Sequence, residues 1–158
     1  MNPNSLRVLI IDGHPAVGRG LKALVSSMPG LKVVGLAYLV VRGLKQAKKA
    51  APDVALVDAD LPGLTSLAAI ALLRCRLPQT RIVALGIYPE RRQAALLAGA
   101  DAFVLKDAGY DALRTAIGAG TDCPVTHPET SDRTSEGNDA AETASPETAT
   151  RQRERVAL

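Results

Sequence analysis

Apolar residues in this chain fall into short unbroken runs that alternate with longer stretches in which they recur every three or four positions. The runs are Arg7-Val8-Leu9-Ile10-Ile11, Leu31 to Leu36, Val54-Ala55-Leu56-Val57, Arg81-Ile82-Val83-Ala84-Leu85 and Ala102-Phe103-Val104-Leu105. A short β-rich run bounded by Gly, Pro or Asp predicts a strand, and an unbroken run predicts a strand covered on both faces. Between the first two runs, Val17, Leu21, Leu24 and Val25 follow Pro15 at helical spacing, and Pro29-Gly30 stops the pattern. Val40 to Ala50 predicts a second helix with Val41, Leu44 and Ala47 inward and Lys45, Lys48 and Lys49 outward, ended by Pro52. The triplet Leu39-Val40-Val41 at its start is read as local packing rather than as an exposed partner-binding patch. Thr65 or Ser66 can cap a third helix carrying Leu67, Ile70, Leu72 and Leu73, which stops at Pro78. Pro89 to Ala98, closed by Gly99, and Tyr110 to Ile117 are the fourth and fifth helices.

Five alternations of strand and helix predict an α/β domain, a doubly wound five-stranded parallel sheet with helices on both faces, because each right-handed crossover covers one face. This domain is expected over residues 1–120. From Gly118 to Ala157 there is no Leu, Ile, Met or aromatic residue, and such a segment cannot bury enough apolar surface to offset its ordering entropy. Residues 121–149 are therefore expected to be a disordered C-terminal linker. The last residues, 150–158, read as the start of a further helix.

Composition narrows the class. A hydrophobic content of 47% supports a real core, and with aromatic residues at only 3% it must be built from Ala, Leu, Val and Ile. The net charge of +3 is too mild to imply nucleic acid, and much of it comes from arginines near the C-terminus. Cys75 and Cys123 lack metal-ligand spacing and read as reduced thiols. No apolar run is long enough to span a membrane and Met1 to Arg7 has no signal-peptide core, so a cytoplasmic protein without membrane contact is expected.

The chemistry falls at strand ends. Open α/β sheets bind ligands beyond the carboxyl ends of their strands, and three strands end in charge: Asp12 after the first, Asp58 after the third, Lys106 after the fifth. Carboxylates clustered at one mouth of a sheet can hold a divalent cation, and a lysine opposite can neutralise a phosphoryl group carried by one of them. Taken singly, Lys106 would be a surface lysine, Phe103 a core aromatic, and His14 an exposed turn residue.

The segments Arg7 to Asp12 with His14-Pro15, Pro52-Asp53-Val54 through Asp58 to Leu61-Pro62-Gly63, and Ala98-Gly99-Ala100 through Phe103-Val104-Leu105-Lys106-Asp107-Ala108 occur in one order. In that order they resemble the receiver domain of NarL/LuxR-type bacterial response regulators, from Arg7 to about Ile117. The resemblance implies a flavodoxin-like fold and a two-component signalling role without catalysis of its own. Asp58 would accept a phosphoryl group from a sensor histidine kinase, and Lys106 would pair with it. Mg2+ would be held by Asp12, Asp58 and the backbone carbonyl of Asp60. In the family a Ser or Thr at the end of the fourth strand moves to the phosphoryl group and draws an aromatic of the fifth strand inward, and Phe103 matches that aromatic. The terminal Arg151 to Leu158 is similar to the opening of the helix-turn-helix domain that follows such receivers. DNA binding would then belong to a C-terminal domain missing from this chain.

Two positions depart from the family pattern. Gly13 stands where the second acid of the pair belongs, and Gly86 where the switch hydroxyl belongs. Opposite charges about 4 Å apart interact by roughly 4 kcal/mol at an effective dielectric near 20, so Gly13 should leave Mg2+ binding weak or absent. Glycine cannot replace the hydroxyl at all. These departures favour a degenerate receiver that controls a partner or output domain through its surface: Pro89 to Ala98, Ala102 to Leu105 and Tyr110 to Ile117. Mixed charge there (Glu90, Arg91, Arg92, Asp111, Arg114) would permit a homodimer. The alternative is a conventional receiver, phosphorylated at Asp58 with Mg2+. A minor alternative takes Asp58-Ala59-Asp60 as the nucleophile motif of a haloacid-dehalogenase-like phosphohydrolase.

Overall fold

The structure, a computed structural model, describes residues 5–61 and 65–118. The expected linker and the helix-turn-helix fragment lie outside these residues. Strands β1 (Leu6–Ile11), β2 (Leu31–Ala37), β3 (Val54–Asp58), β4 (Arg81–Gly86) and β5 (Ala102–Leu105) alternate with helices α1 (Pro15–Ser26), α2 (Val40–Ala50), α3 (Thr65–Arg76), α4 (Arg91–Leu97) and α5 (Gly109–Gly118). The strands pair in parallel in the order β2-β1-β3-β4-β5. The chain winds outward from β1 to β2 and then resumes on the other side of β1 with β3. The crevice beyond the ends of β1 and β3 is the switch point at which this architecture binds ligands.

In β1, β3, β4 and β5 the apolar run resolves into strict alternation between two cores, as the two-residue period of a strand requires, whereas a register shift against β1 puts Leu31, Val33 and Leu36 of β2 on one side. Leu9, Ile11, Ala55, Val57, Ile82, Ala84 and Phe103 point to one face and pack with Ala47, Ile70, Leu73 and Ala95 of α2, α3 and α4. Val8, Ile10, Val54, Leu56, Val83, Leu85 and Val104 point to the other and pack with Val25, Leu113 and Ile117 of α1 and α5. Each large side chain buried in this way contributes about 1.5–3 kcal/mol. The same parity sorts the strand ends. Asp12, Asp58 and Lys106 continue the α1/α5 side, whereas Gly86 and Phe103 lie on the α4 side.

Four local expectations are corrected. Val41 is 65% exposed and Leu39 62%, so the Leu39-Val40-Val41 triplet is not packed as a unit; only Val40 joins the core. At 3.6 residues per turn Val40, Leu44 and Ala47 share a stripe, and Val41 lies outside it. Leu72 is exposed for the same reason, with Ala69, Ile70 and Leu73 facing inward on α3. Ser66 is buried inside α3, and its hydroxyl donates to the Ala59 carbonyl at 3.1 Å, tying the helix to the end of β3. Before α4, Pro89 and Glu90 form a tight turn, with Arg91 N–H on Tyr88 O and Arg92 N–H on Pro89 O, both at 3.1 Å.

Candidate functional site

β1 and β3 run side by side, Ile11 level with Val57, so Asp12 and Asp58 emerge together at the mouth of the sheet. Both are 1% exposed. Buried carboxylates persist only where donors meet them, and here donors reach three of the four oxygens. Lys106 reaches over from the end of β5, where its backbone N–H continues the ladder to Gly86 O at 2.9 Å. Its Nζ donates to Asp58 Oδ1 at 2.8 Å and to Asp12 Oδ2 at 3.4 Å. Asp58 Oδ1 also accepts the Asp60 N–H at 2.9 Å, and Asp12 Oδ1 accepts the His14 N–H at 2.8 Å. Asp58 Oδ2 has no hydrogen-bond partner among the described residues. It faces the largely exposed His14, whose Nδ1 lies 3.6 Å from it and 3.8 Å from Asp12 Oδ1.

Burial, the largest single influence on Lys106, lowers its pKa. The hydrogen bond and charge of Asp58, with those of Asp12, outweigh it and hold the ammonium group above its ordinary 10.5. The lysine is therefore charged at neutral pH and compensates the paired acids.

The two departures from the family pattern are both filled by apolar side chains. A Cβ on Gly13 would overlap Leu61 Cδ2, and Leu61 is 7% exposed. The place of the second acid is thus occupied by a leucine of the β3–α3 loop. A Cβ on Gly86 would lie 2.6 Å from Phe103 Cζ and 2.9 Å from Cε2. The Phe103 ring is 5% exposed, and the Arg92 guanidinium lies 5.3 Å from its centroid. It is therefore held between the bare backbone of β4 and a cation of α4.

Asp60 has a role that sequence reasoning missed, since only its backbone carbonyl was assigned. Its nearly buried carboxylate accepts the Ile87 N–H at 2.5 Å, and Arg91 Nε lies 3.9 Å from the other oxygen. Arg91 Nη1 also donates to Ala59 O at 3.4 Å. One carboxylate thus joins the β3–α3 loop to the β4–α4 loop, next to Gly86. An acid two residues past a strand end is the only signal the sequence offers for this. It also weighs against phosphohydrolase chemistry, because the second acid of Asp58-Ala59-Asp60 is committed to the neighbouring loop.

Comparison with known proteins agrees with the fold. The family model described as response regulator receiver domain matches residues 8–118. The chain is 38% identical over 122 residues to the transcriptional regulatory protein MctR of Rhizobium johnstonii, covering 73% of this chain and 57% of that protein. It is 34% identical over 118 residues to the nitrate/nitrite response regulator protein NarL of Escherichia coli K12, covering 73% and 55%. The chain thus spans little more than half the length of these curated relatives. Among solved structures, the signal receiver domain of a response regulator NarL from Mycobacterium tuberculosis superposes with a TM-score of 0.68 at 28% identity, over 77% of this chain and 100% of that one.

Proposed function

The chain belongs to the response regulator receiver domain family, and from that membership we propose that it is an atypical receiver whose output surface is held in one state by packing rather than by phosphorylation. The observation that carries this reading is the Phe103 ring seated over Gly86. In the family the aromatic moves inward when a hydroxyl vacates the end of the fourth strand. Here position 86 has no side chain to vacate, the ring already fills the space, and Arg92 covers it. The Asp60 carboxylate fastens the adjoining loop to the phospho-acceptor loop. The surface of α4, β5 and α5 then presents a fixed face, on which Leu96 and Leu97 of α4 and the charged Arg92 and Asp111 are all exposed. In this reading that face meets a second copy of the chain or an output domain. The setting is the cytoplasm, and DNA contact belongs to a part of the protein outside the receiver.

A second reading is favoured by Asp58 Oδ2. An oxygen with no donor among the described residues, at the mouth of the sheet and opposite a charged lysine, is placed to accept a phosphoryl group from a sensor histidine kinase. One experiment separates the two. The chain contains a single Phe, so labelling with fluorophenylalanine gives one 19F resonance that reports Phe103 alone. With a small-molecule phosphodonor or beryllofluoride, intact mass and the Lys106 amide report events at Asp58, and the 19F signal reports the switch. The atypical reading expects an unmoved 19F signal and unmoved α4 amides, whether or not Asp58 is modified. A shift of Phe103 and α4 that accompanies modification, and is lost in Asp58→Asn, establishes the conventional switch instead.

A further inference from the structure

We propose that the cleft between α2 and α3 is a docking groove for an acidic amphipathic helix of a partner protein. The two helices pack side by side on one face of the sheet and leave a cleft of about 440 Å³ between them. Its floor is apolar. Leu44 and Ala47 of α2 meet Leu73 of α3, with Leu77 just past the end of that helix, and all four rest on the core below. Its rims are cationic, Lys48 on one side and Arg76 on the other, both exposed. Neither helix contains an Asp or a Glu, and residues 13–52 as a whole hold seven Lys and Arg and no acid. Among the described residues no carboxylate lies within ion-pair distance of Arg42, Lys45, Lys48, Lys49 or Arg76.

Val41 is the independent sign of an apolar partner. At 3.6 residues per turn Val41, Lys45 and Lys48 form one stripe of α2, and since Lys48 borders the cleft, that stripe is its rim. Val41 therefore stands exposed on a rim that is otherwise cationic. From Val41 to Lys48 the stripe rises about 10.5 Å, the length of two turns of a partner helix laid along it. Floor and rim together select the occupant. A nucleic-acid backbone would pair with the cations but offer nothing apolar to Leu44, Leu77 and Val41. A bilayer surface is flat, whereas Ala47 and Leu73 are buried below the rims. A helix with Leu or Ile on one face and Glu or Asp flanking it fills the floor and meets the cations at once. The last turn of a helix favours cations in its own right, which accounts for Lys48, Lys49 and Arg76 but not for Arg42 and Lys45. The groove lies on helices that the proposed output face does not use.

The test titrates the full chain with a synthetic peptide carrying Leu at i, i+3, i+4 and i+7 and Glu elsewhere, read by fluorescence anisotropy and by amide shifts. Two control peptides accompany it, one of the same composition with the Leu positions scattered and one with Lys in place of Glu. The expected result is saturable binding of the first peptide alone, shifts concentrated on α2 and α3, and weakening as salt is raised. Lys45→Glu/Lys48→Glu should lower affinity by about tenfold, and Val41→Ser by about threefold or more. All three side chains are exposed, so the melting temperature of these variants should stay that of the wild type. Arg19→Glu/Lys22→Glu, an equal change of charge on exposed positions of α1, should bind as the wild type does. Absence of binding, equal binding of the scattered peptide, or indifference to Lys45→Glu/Lys48→Glu each overturns the proposal. So does tighter binding of phosphatidylglycerol vesicles or duplex DNA through the same residues.

Discussion

The Phe103 ring occupies the space in which a side chain at Gly86 would begin, 2.6 Å from the position of its Cβ. Ala84, not Gly86, is level with Phe103 in the β4–β5 ladder, so the ring leans along the strand toward its carboxyl end to fill that space. The contact depends on both partners: a bare backbone on one strand and a planar side chain on the next. In the proposed reading, this contact makes the inward position of the aromatic a matter of core packing.

Installing a side chain at residue 86 is therefore expected to expel the ring. Gly86→Thr should cost about 1–3 kcal/mol, as overpacked substitutions do, and should move the lone 19F resonance of fluorophenylalanine-labelled protein toward its solvent-exposed value. Gly86→Ala should do the same in smaller measure. Unchanged 19F shifts in both variants would show that the ring is held by something other than the glycine.

Asp60 fastens the β4–α4 loop through the Ile87 N–H. Ile87 is exposed, so its N–H can turn to water once the charged acceptor is gone, and the loss should be about 1 kcal/mol. Asp60→Ala should accordingly speed amide hydrogen exchange at Ile87 and at Arg91, and Asp60→Asn, which keeps an acceptor oxygen, should restore much of the protection. Equal exchange in all three proteins would leave Asp60 without a positioning role.

The fold was legible because several levels of the sequence agree. Apolar runs placed β5 to the residue and β3 to within one, and Pro52 and Pro29-Gly30 marked where α2 ends and where β2 can start. The triad Asp12, Asp58 and Lys106 followed from strand ends alone, since topology brings residues 94 positions apart to 3.4 Å. The contents of the two glycine gaps were not legible. That Leu61 fills one and Phe103 the other depends on side-chain direction in a loop and across a ladder, which residue order does not encode. Val41 was misplaced because Val40 and Val41 are alike in residue type, and only the 3.6-residue turn puts Val40 over Leu44 and Ala47. Asp60 was missed because its partner is a backbone N–H in another loop, and a backbone donor carries no residue-type signature.

Lys106 ties stability to alkaline pH. Its folded-state pKa is raised above 10.5, because Asp58 and Asp12 together outweigh desolvation. A group whose pKa is raised on folding binds its proton more tightly in the native state, so its stabilising contribution is complete below pH 10.5 and is lost as pH rises through the folded value. The melting temperature should thus fall more steeply above pH 10.5 in the wild type than in Lys106→Met. The variant should be less stable at neutral pH, where it leaves two buried carboxylates without their cation. Parallel alkaline limbs in the two proteins would show that the ion pair contributes nothing to that slope.

Leu61 and Gly13 form the complementary pair on the metal side of the mouth, and their coupling can be measured directly. Gly13→Asp alone must push Leu61 Cδ2 out of its place and should cost about 1–3 kcal/mol. Leu61→Ala alone opens a cavity in a nearly buried position and should cost about 2–5 kcal/mol. Because each change makes room for or fills the other, the double variant should be more stable than the sum predicts, by about 0.5–3 kcal/mol. It also restores an acid where hard cations are held in the family. Mg2+ should then raise the melting temperature of Gly13→Asp/Leu61→Ala and leave that of the wild type unmoved. Additive destabilisation with no Mg2+ response would mean that the leucine fills the gap without excluding the ion, and that selectivity at this mouth is set elsewhere.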